Sequence, residues 1–392
     1  MELLKFPNEV VLCIAHALDN ADINRLLRTC KRFHSLLDPY LYQRVSREPM
    51  SGIFLWACSP RPGECHTRRM CTVSKCITAG ADVNTIWPYD NDDCSSWAAE
   101  HVDEVRWTTP MCLAAAAGDA GLARLLLNAG ADINLAACCG LPPIIIAIMA
   151  QEADMVDFLL ENNVNLGVAG PDFAGPLAMA VRSGGYDGDG CHDSRIFDAV
   201  LKATDDVDES SHGRTTAVFE AVMMANSLAL RALLDTGRAD PNKTPLDSDG
   251  ETPLMFACSN GLTYIAMLLC EHSTASVNCA GKTGQSPFAC AMENGHWDVV
   301  LYLLKLGRVR LHDWDRWFTY ICEAGGDGSD DDENVGGEDA AATREAVARE
   351  MIHRVDMTKE RAMVWTCIAE DCGLPELKSS IQAKLEEWEP VA

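Results

Sequence analysis

Between Thr109 and Asn134 the chain reads TPMCLAAAAGDAGLARLLLNAGADIN, and its apolar positions come in two short helical runs. Leu113 to Ala117 is a strongly helix-forming stretch that stops at Gly118. Pro110 suits a first helical position, where a backbone N–H has no partner in any case. Asp119 stands where it can cap a second helix, in which Leu122, Leu125 and Leu126 recur at helical spacing. Gly130 fits the left-handed position that ends a helix, and Ala131 to Asn134 lead out extended. The pattern predicts a pair of short helices and a tight exit. Such a pair carries too few apolar side chains to fold unaided, so it must bury its face against neighbours of the same kind.

Those neighbours follow. The opening pattern returns at Pro142-Pro143, Gly175-Pro176, Thr216-Ala217, Thr252-Pro253 and Ser286-Pro287, a period of about 33 residues. The step from Gly175 to Thr216 is longer, which places an insertion at Ser183–Asp193. Second helices recur at Val156–Leu160, Leu228–Leu234, Tyr264–Leu269 and Val299–Leu304. The closing pattern stands as Gly80-Ala81-Asp82-Val83-Asn84 and Gly130-Ala131-Asp132-Ile133-Asn134, and in worn form as Arg238-Ala239-Asp240-Pro241-Asn242. The unit resembles the ankyrin repeat, which opens T-P-L-H-x-A and closes G-A-D-x-N. The resemblance covers about residues 51–315 and implies an all-α fold, an α-solenoid of helix–turn–helix units with hairpin-like loops, whose business is binding proteins. One departure stands out. The histidine expected fourth in the opening is Cys112, Ile145, Ala178, Phe219, Met255 and Ala289, so the hydrogen bonds it supplies in the family are missing.

Residues 1–48 do not follow the repeat. Pro7 can open a helix carrying Val10, Val11, Ile14 and Leu18, Asp22 can cap a second with Ile23, Leu26 and Leu27, and Phe33, Leu36 and Leu37 begin a third. Phe6-Pro7, Glu9, Val10-Val11, Ile14, Leu18, Asp22-Ile23 and Cys30-Lys31-Arg32-Phe33 resemble the F-box, a three-helix module that docks on the Skp adaptor of a cullin-RING ubiquitin ligase. Carried over by position, Phe6, Pro7, Val10, Val11 and Ile14 would face the adaptor, with Leu18 nearer the boundary. The plainer reading is a helical cap that seals the first repeat.

Residues 51–84 read as a degenerate first repeat, 85–107 as an insertion, 108–315 as ankyrin repeats and 316–392 as degenerate closing repeats or a cap. The last region contains an acidic stretch, 325–340, expected to be disordered. The 85–107 insertion sets Trp87, Tyr89, Trp97 and Trp107 beside six acids. Insertions in repeat arrays fall on loops, often on the binding face, although tryptophans also cover exposed helix ends. Candidate target contacts are the loop-tip residues Leu135, Phe173, Asp247 and Lys282, with Trp97 and Tyr186 from the insertions.

Charge and chemistry narrow the picture. The net charge of −26 argues against nucleic acid and anionic membrane as partners and favours a target with a basic patch, bound in a salt-sensitive way. No apolar run approaches the ~20 residues needed to span a bilayer, and Glu2 and Glu9 outweigh Lys5 where a secretory signal needs a basic start. The 18 cysteines contain no Cys-x-x-Cys pair, and Cys112, Cys258, Cys290 and Cys367 fall at helix-core positions, as in a reducing intracellular compartment, cytoplasmic or nuclear. The spacing of Cys65-His66, Cys71 and Cys76 does not suit zinc, and the insertion at Ser183–Asp193 lacks the glutamate that closes a calcium loop, so no metal or cofactor is expected. No catalytic motif is present, and His212 and His296 sit at hydrogen-bonding positions. The sequence therefore reads as a non-enzymatic, monomeric adaptor between a ligase and a target protein. The alternatives are an ankyrin scaffold or inhibitor without a ligase link and, third, a cysteine-dependent enzyme marked by one hyper-reactive thiol.

Overall fold

Hydroxyl caps set where the helix pairs begin. The side-chain oxygens of Thr109, Thr216, Thr252 and Ser286 each accept the backbone N–H three residues on, at 3.2 Å. A proline at the start of the helix follows three of them, at Pro110, Pro253 and Pro287. Asp119 and Asn226 cap second helices in the same way, accepting from Leu122 at 2.9 Å and Ala229 at 3.0 Å. The tight turn between partners needs a left-handed residue. At Gly261, with φ +68°, a Cβ would also fall 2.5 Å from the His296 ring, which is itself hydrogen-bonded to the Ser259 carbonyl at 2.9 Å.

The computed structural model describes residues 7–18, 20–27, 29, 31–47, 53–59, 65–86, 109–137, 140–167, 175–184, 194–208, 215–245, 250–272, 275–281, 284–310, 313–323 and 337–388. These form 21 α-helices and no strand. They divide into two compact units, Met1–Asp205 and Asp206–Ala392.

The first unit starts with a three-helix module, α1 (Asn8–Ala17), α2 (Asn20–Leu27) and α3 (Lys31–Arg47). Four helix pairs follow: α4 (Ile53–Cys58) with α5 (His66–Thr78), α6 (Pro110–Ala116) with α7 (Ala120–Asn128), α8 (Pro143–Met149) with α9 (Ala153–Glu161), and α10 (Pro176–Ser183) with α11 (Arg195–Ala203). First helices pack on first helices and second on second. The module is seated on the first pair. Lys75 of α5 donates to Asp38 of α3 at 2.7 Å and lies over the Tyr42 ring at 5.3 Å. Farther along, the Asp119 carboxylate ties α5 to α7 by accepting from the buried Arg69 and from His66 at 3.1 Å. Burial alone would raise the Asp119 pKa, but the Leu122 N–H, His66 and Arg69 together bring it below the usual aspartate range.

The second unit repeats the arrangement: α12 (Ala217–Met223) with α13 (Ser227–Asp235), α14 (Pro253–Ser259) with α15 (Thr263–Glu271), and α16 (Pro287–Glu293) with α17 (Trp297–Leu306). It closes with α18 (Trp314–Glu323), α19 (Gly337–Arg354), α20 (Lys359–Asp371) and α21 (Pro375–Trp388). Trp365 stacks on Phe318 with centroids 4.0 Å apart and donates its indole N–H to Asp315 at 2.7 Å, so α20 is locked to α18. Two expectations change here. Gly337–Ala340, read as part of a disordered acidic stretch, belongs to α19, whose apolar Val347, Met351 and Ile352 are buried and anchor a helix that extends back into the acidic residues. Residues 325–336 lie outside the described ones. Cys367, read as a core position, is exposed on α20, whereas Cys112, Cys258 and Cys290 are buried.

A rung of Asn and Asp side chains joins successive hairpin loops. In the first unit Asn84 accepts the Asp132 N–H at 2.8 Å and Asn134 the Asn165 N–H at 2.8 Å. In the second, Asn242 accepts from Ser276 and Asn278 from Arg310, both at 2.7 Å, while Asp208 takes the place of asparagine and accepts from Asp240 at 2.9 Å. The missing family histidine is partly replaced in one repeat, where the Cys112 thiol points at the Leu135 and Leu141 carbonyls at 3.7 and 3.9 Å.

The two aspartates predict opposite pH responses. Desolvation, with Asp240 and Asp206 nearby, lifts the Asp208 pKa, so its folded-state protonation favours the fold and that contribution is lost as pH rises through the folded value. Asp208→Asn keeps the acceptor and removes the charge; it should raise the melting temperature at pH 7 and leave it unchanged well below the carboxylate range. The lowered Asp119 pKa contributes stability that is present above the ordinary aspartate range and lost as pH falls through the folded value. Asp119→Asn should lower stability at pH 7 by about 3 kcal/mol, because Arg69 is left buried without its carboxylate, and the deficit should shrink in acid. Thermal unfolding of the first variant and urea unfolding of the second, each across pH, check them.

Candidate functional site

The N-terminal module offers the first candidate surface. Val11 and Ala15, one helical turn apart on α1, pack with Ile23, Phe33 and Leu37 into a small core, joined by half-buried Leu18. Arg32 donates to the Asn8 side chain at 2.9 Å and pins the start of α3 to the start of α1. The opposite side of α1 faces out. Pro7 caps the helix and is exposed, its carbonyl accepting from Val10 and Val11 at 3.1 and 3.2 Å. Val10 is 39% exposed, Cys13 and Ala17 are exposed and Ile14 is half-buried. Val11 is therefore corrected: at 3% exposure it belongs to the core. At 100° per residue, neighbours in sequence point to different faces, and the wetter of the two valines is Val10. Cys13 and Ala17 complete the outward stripe, and the three- and seven-residue steps from Val10 are the signal that marks them. Phe6 lies outside the described residues.

The second candidate surface lies on the first helices of the second unit. Met223 at the end of α12 is 38% exposed. Phe256 on α14 is half-buried, its ring 5.5 Å from that of Phe219. Glu293 on α16 is exposed and accepts from the Gln285 amide at 2.7 Å. The Tyr320 hydroxyl on α18 donates to the Glu293 carbonyl at 3.3 Å. Burial lifts the carboxyl pKa of half-buried Glu251 beside this strip. None of these residues figures among the sequence-derived contacts, because repeat-interior side chains are identified by exposure, which periodicity does not report. Of the predicted target contacts only Leu135 is described; it is half-buried beside Cys112. Trp97, Phe173, Tyr186, Asp247 and Lys282 lie outside the described residues, as do the 85–107 insertion beyond Ile86 and most of the insertion at Ser183–Asp193.

The buried thiols belong to packing, whereas exposed Cys65 is held below the ordinary thiol range, chiefly by the Arg68 backbone N–H. Desolvation raises Cys58, Cys258 and Cys290 above the ordinary thiol range and pushes Cys270 up to about 11 and Cys322 up to about 12, which keeps all five protonated near neutrality. Cys71 is exposed and Cys76 buried, so they leave α5 on different faces. Among the described residues no group of His, Cys, Asp and Glu side chains converges to hold a metal ion, and no helix is long and apolar enough to cross a membrane.

Comparison with known proteins agrees with this geometry. A family model for ankyrin repeats (3 copies) matches residues 91–188 and 218–313, and one described as F-box-like matches residues 3–48. The chain is similar to the photoreceptor ankyrin repeat protein of Homo sapiens, 33% identical over 91 residues, which is 23% of this chain and 20% of that protein. It is similar to alpha-latrocrustotoxin-Lt1a of Latrodectus tredecimguttatus, 27% identical over 112 residues, or 29% of this chain and 8% of that protein. The matched stretch thus spans a fifth or less of these relatives. Among solved structures it is similar to the ankyrin repeat domain of Bcl-3, a unique member of the IkappaB protein family, at 20% identity and a TM-score of 0.46, covering 51% of this chain and 87% of that one.

The division of α1 into two faces makes a direct prediction. Val11→Ala should lower the stability of the module by about 2 kcal/mol, while Val10→Ala should stay within about 0.5 kcal/mol. Urea unfolding monitored through the module checks the pair.

Proposed function

From its F-box-like domain followed by ankyrin repeats, we propose that the chain is a non-enzymatic substrate adaptor. The outward face of α1 docks on the Skp-type adaptor of a cullin-RING ubiquitin ligase, and the repeats hold a target protein. The mechanism is an effective-concentration effect: target lysines are kept near a ligase, and this chain makes and breaks no bonds. The observation that carries the reading is the split of α1, with Val11 and Ala15 turned inward while Pro7, Val10 and Ile14 remain at the surface. A helix that served only as a seal has no need of an apolar outward stripe.

In the second unit the target contacts are taken to be the strip of Met223, Phe256, Glu293 and Tyr320 with the loop residues Asp247 and Lys282; in the first they are taken to be the loop residues Trp97, Leu135, Phe173 and Tyr186. Carboxylates beside methionine and aromatic side chains suit a target that presents an apolar anchor within a basic patch, and the net charge of −26 favours the same partner. The protein would work as a monomer inside the cell.

A second reading is favoured by one contact. Lys75 ties α3 to the first helix pair through Asp38 and Tyr42, as a cap would be tied. In that reading the chain is an ankyrin scaffold or inhibitor with no ligase link. Capture of a purified Skp-type adaptor by the full chain separates the two. Val10→Glu should reduce capture at least tenfold while the melting temperature and target binding stay as they are. Equal failure of the wild type and the variant to capture the adaptor would leave the scaffold.

A further inference from the structure

The backs of the second helices differ sharply between the two units. In α7 and α9 the second and fifth residues are Gly121 and Arg124, then Asp154 and Asp157, and Arg195 pairs with both aspartates, at 2.9 and 2.5 Å. At the same positions α13 carries Leu228 and Arg231, and α15 carries Tyr264 and Met267. Leu228 is 70% exposed and Tyr264 54%. On α17, which packs on α15 as α15 packs on α13, the same positions are the exposed Asp298 and half-buried Leu301, with half-buried Trp297 beside them. An array needs polar outer faces for solubility, and here Leu228, Tyr264 and Met267 stand at positions that hold Gly121, Arg124, Asp154 and Asp157 in the other unit. Tyrosine, tryptophan, methionine and arginine are also the residues in which protein interfaces are enriched.

Arg231 identifies the chemistry of the occupant. Its guanidinium donates to the Tyr264 hydroxyl at 3.2 Å, and among the described residues no carboxylate pairs with it. A guanidinium carries five donors in a planar fork that matches a carboxylate. The borders of the surface are acidic, with Asp235 and Glu271 at the ends of α13 and α15 and Asp298 near the start of α17 all exposed. Those acids oppose an anionic lipid surface. A second copy of this chain would bring the same three acids to the shared interface, and sedimentation tests that occupant directly.

We propose that the outer surface of α13, α15 and α17 is a second docking site, which takes an amphipathic helix of a partner protein bearing a carboxylate. A helix fits better than a strand because the surface is made of side chains: an extended segment would find no backbone edge to pair with, whereas a helix arrives with its own hydrogen bonds made. Packed helices lie 8–10 Å apart, so Leu228 and Tyr264 match apolar residues about seven positions apart on a helix laid across them, which are about 10 Å apart along its axis. The carboxylate lies about one turn from that stripe and meets Arg231. This site is independent of the target strip and of α1.

A displayed library of helical peptides selected on the immobilised full chain tests the proposal, with affinities measured by fluorescence anisotropy. Enriched peptides should carry apolar residues at helical spacing plus an Asp or Glu. Leu228→Glu and Tyr264→Ala should each weaken them at least tenfold, and Arg231→Glu should do the same while favouring the peptide in which that acid is replaced by Lys. Met223→Glu, in the target strip, should change nothing. Because the altered residues are exposed, unchanged melting temperatures keep the comparison valid. The proposal fails if no such helices are enriched, if the enriched peptides are basic, if Met223→Glu disrupts binding where Leu228→Glu does not, or if sedimentation shows the wild type forming dimers that Leu228→Glu dissolves.

Discussion

Every helix pair in this chain depends on the pair beside it. Its first helix is only seven or eight residues long in most repeats, too short to hold together in water, and its apolar side chains are covered only when another pair is laid against them. The Asn and Asp rungs extend the same dependence to the loops. Each side chain accepts a backbone N–H from the following hairpin, so the polar groups of one loop are satisfied by the next. Cooperativity is thus lateral, and a weak rung such as Asp208 is felt by two repeats at once.

This architecture leaves the surface free to vary. The core positions are filled with small and apolar residues, cysteine included, whose thiols burial keeps protonated. What distinguishes one repeat from another lies at the ends of first helices, on the backs of second helices and on the outward side of α1. Three candidate surfaces arise in these places, built from exposed and half-buried side chains.

Much of this was legible in the sequence because the period, the Thr-Pro openings and the left-handed glycines each have one local cause. Thr109, Asp119 and Gly130 take the cap and turn positions that their chemistry predicts. What was not legible is which of two similar neighbours faces water. Val10 and Val11 differ only by a 100° rotation about α1, and Cys367 reads like Cys258 until α20 is seen to lie with little packed over that side. The start of α19 was hidden for another reason: its acidic first residues have no apolar period of their own, and their helix is imposed by the buried residues further along. The exposed Leu228 and Tyr264 likewise fit a helical pattern, and only their surroundings show that nothing covers them.

The Lys75 clamp has a geometric consequence. The lysine meets Asp38 at 2.7 Å and the Tyr42 ring at 5.3 Å, so two contacts from one side chain join α3 to α5 and favour one seating of the module on the first pair. In the proposed role, an adaptor docked on α1 is therefore referred to the first repeats through the α3–α5 contact, so the reach of that contact, and not only the length of a tether, enters which stretch of a cargo comes within range.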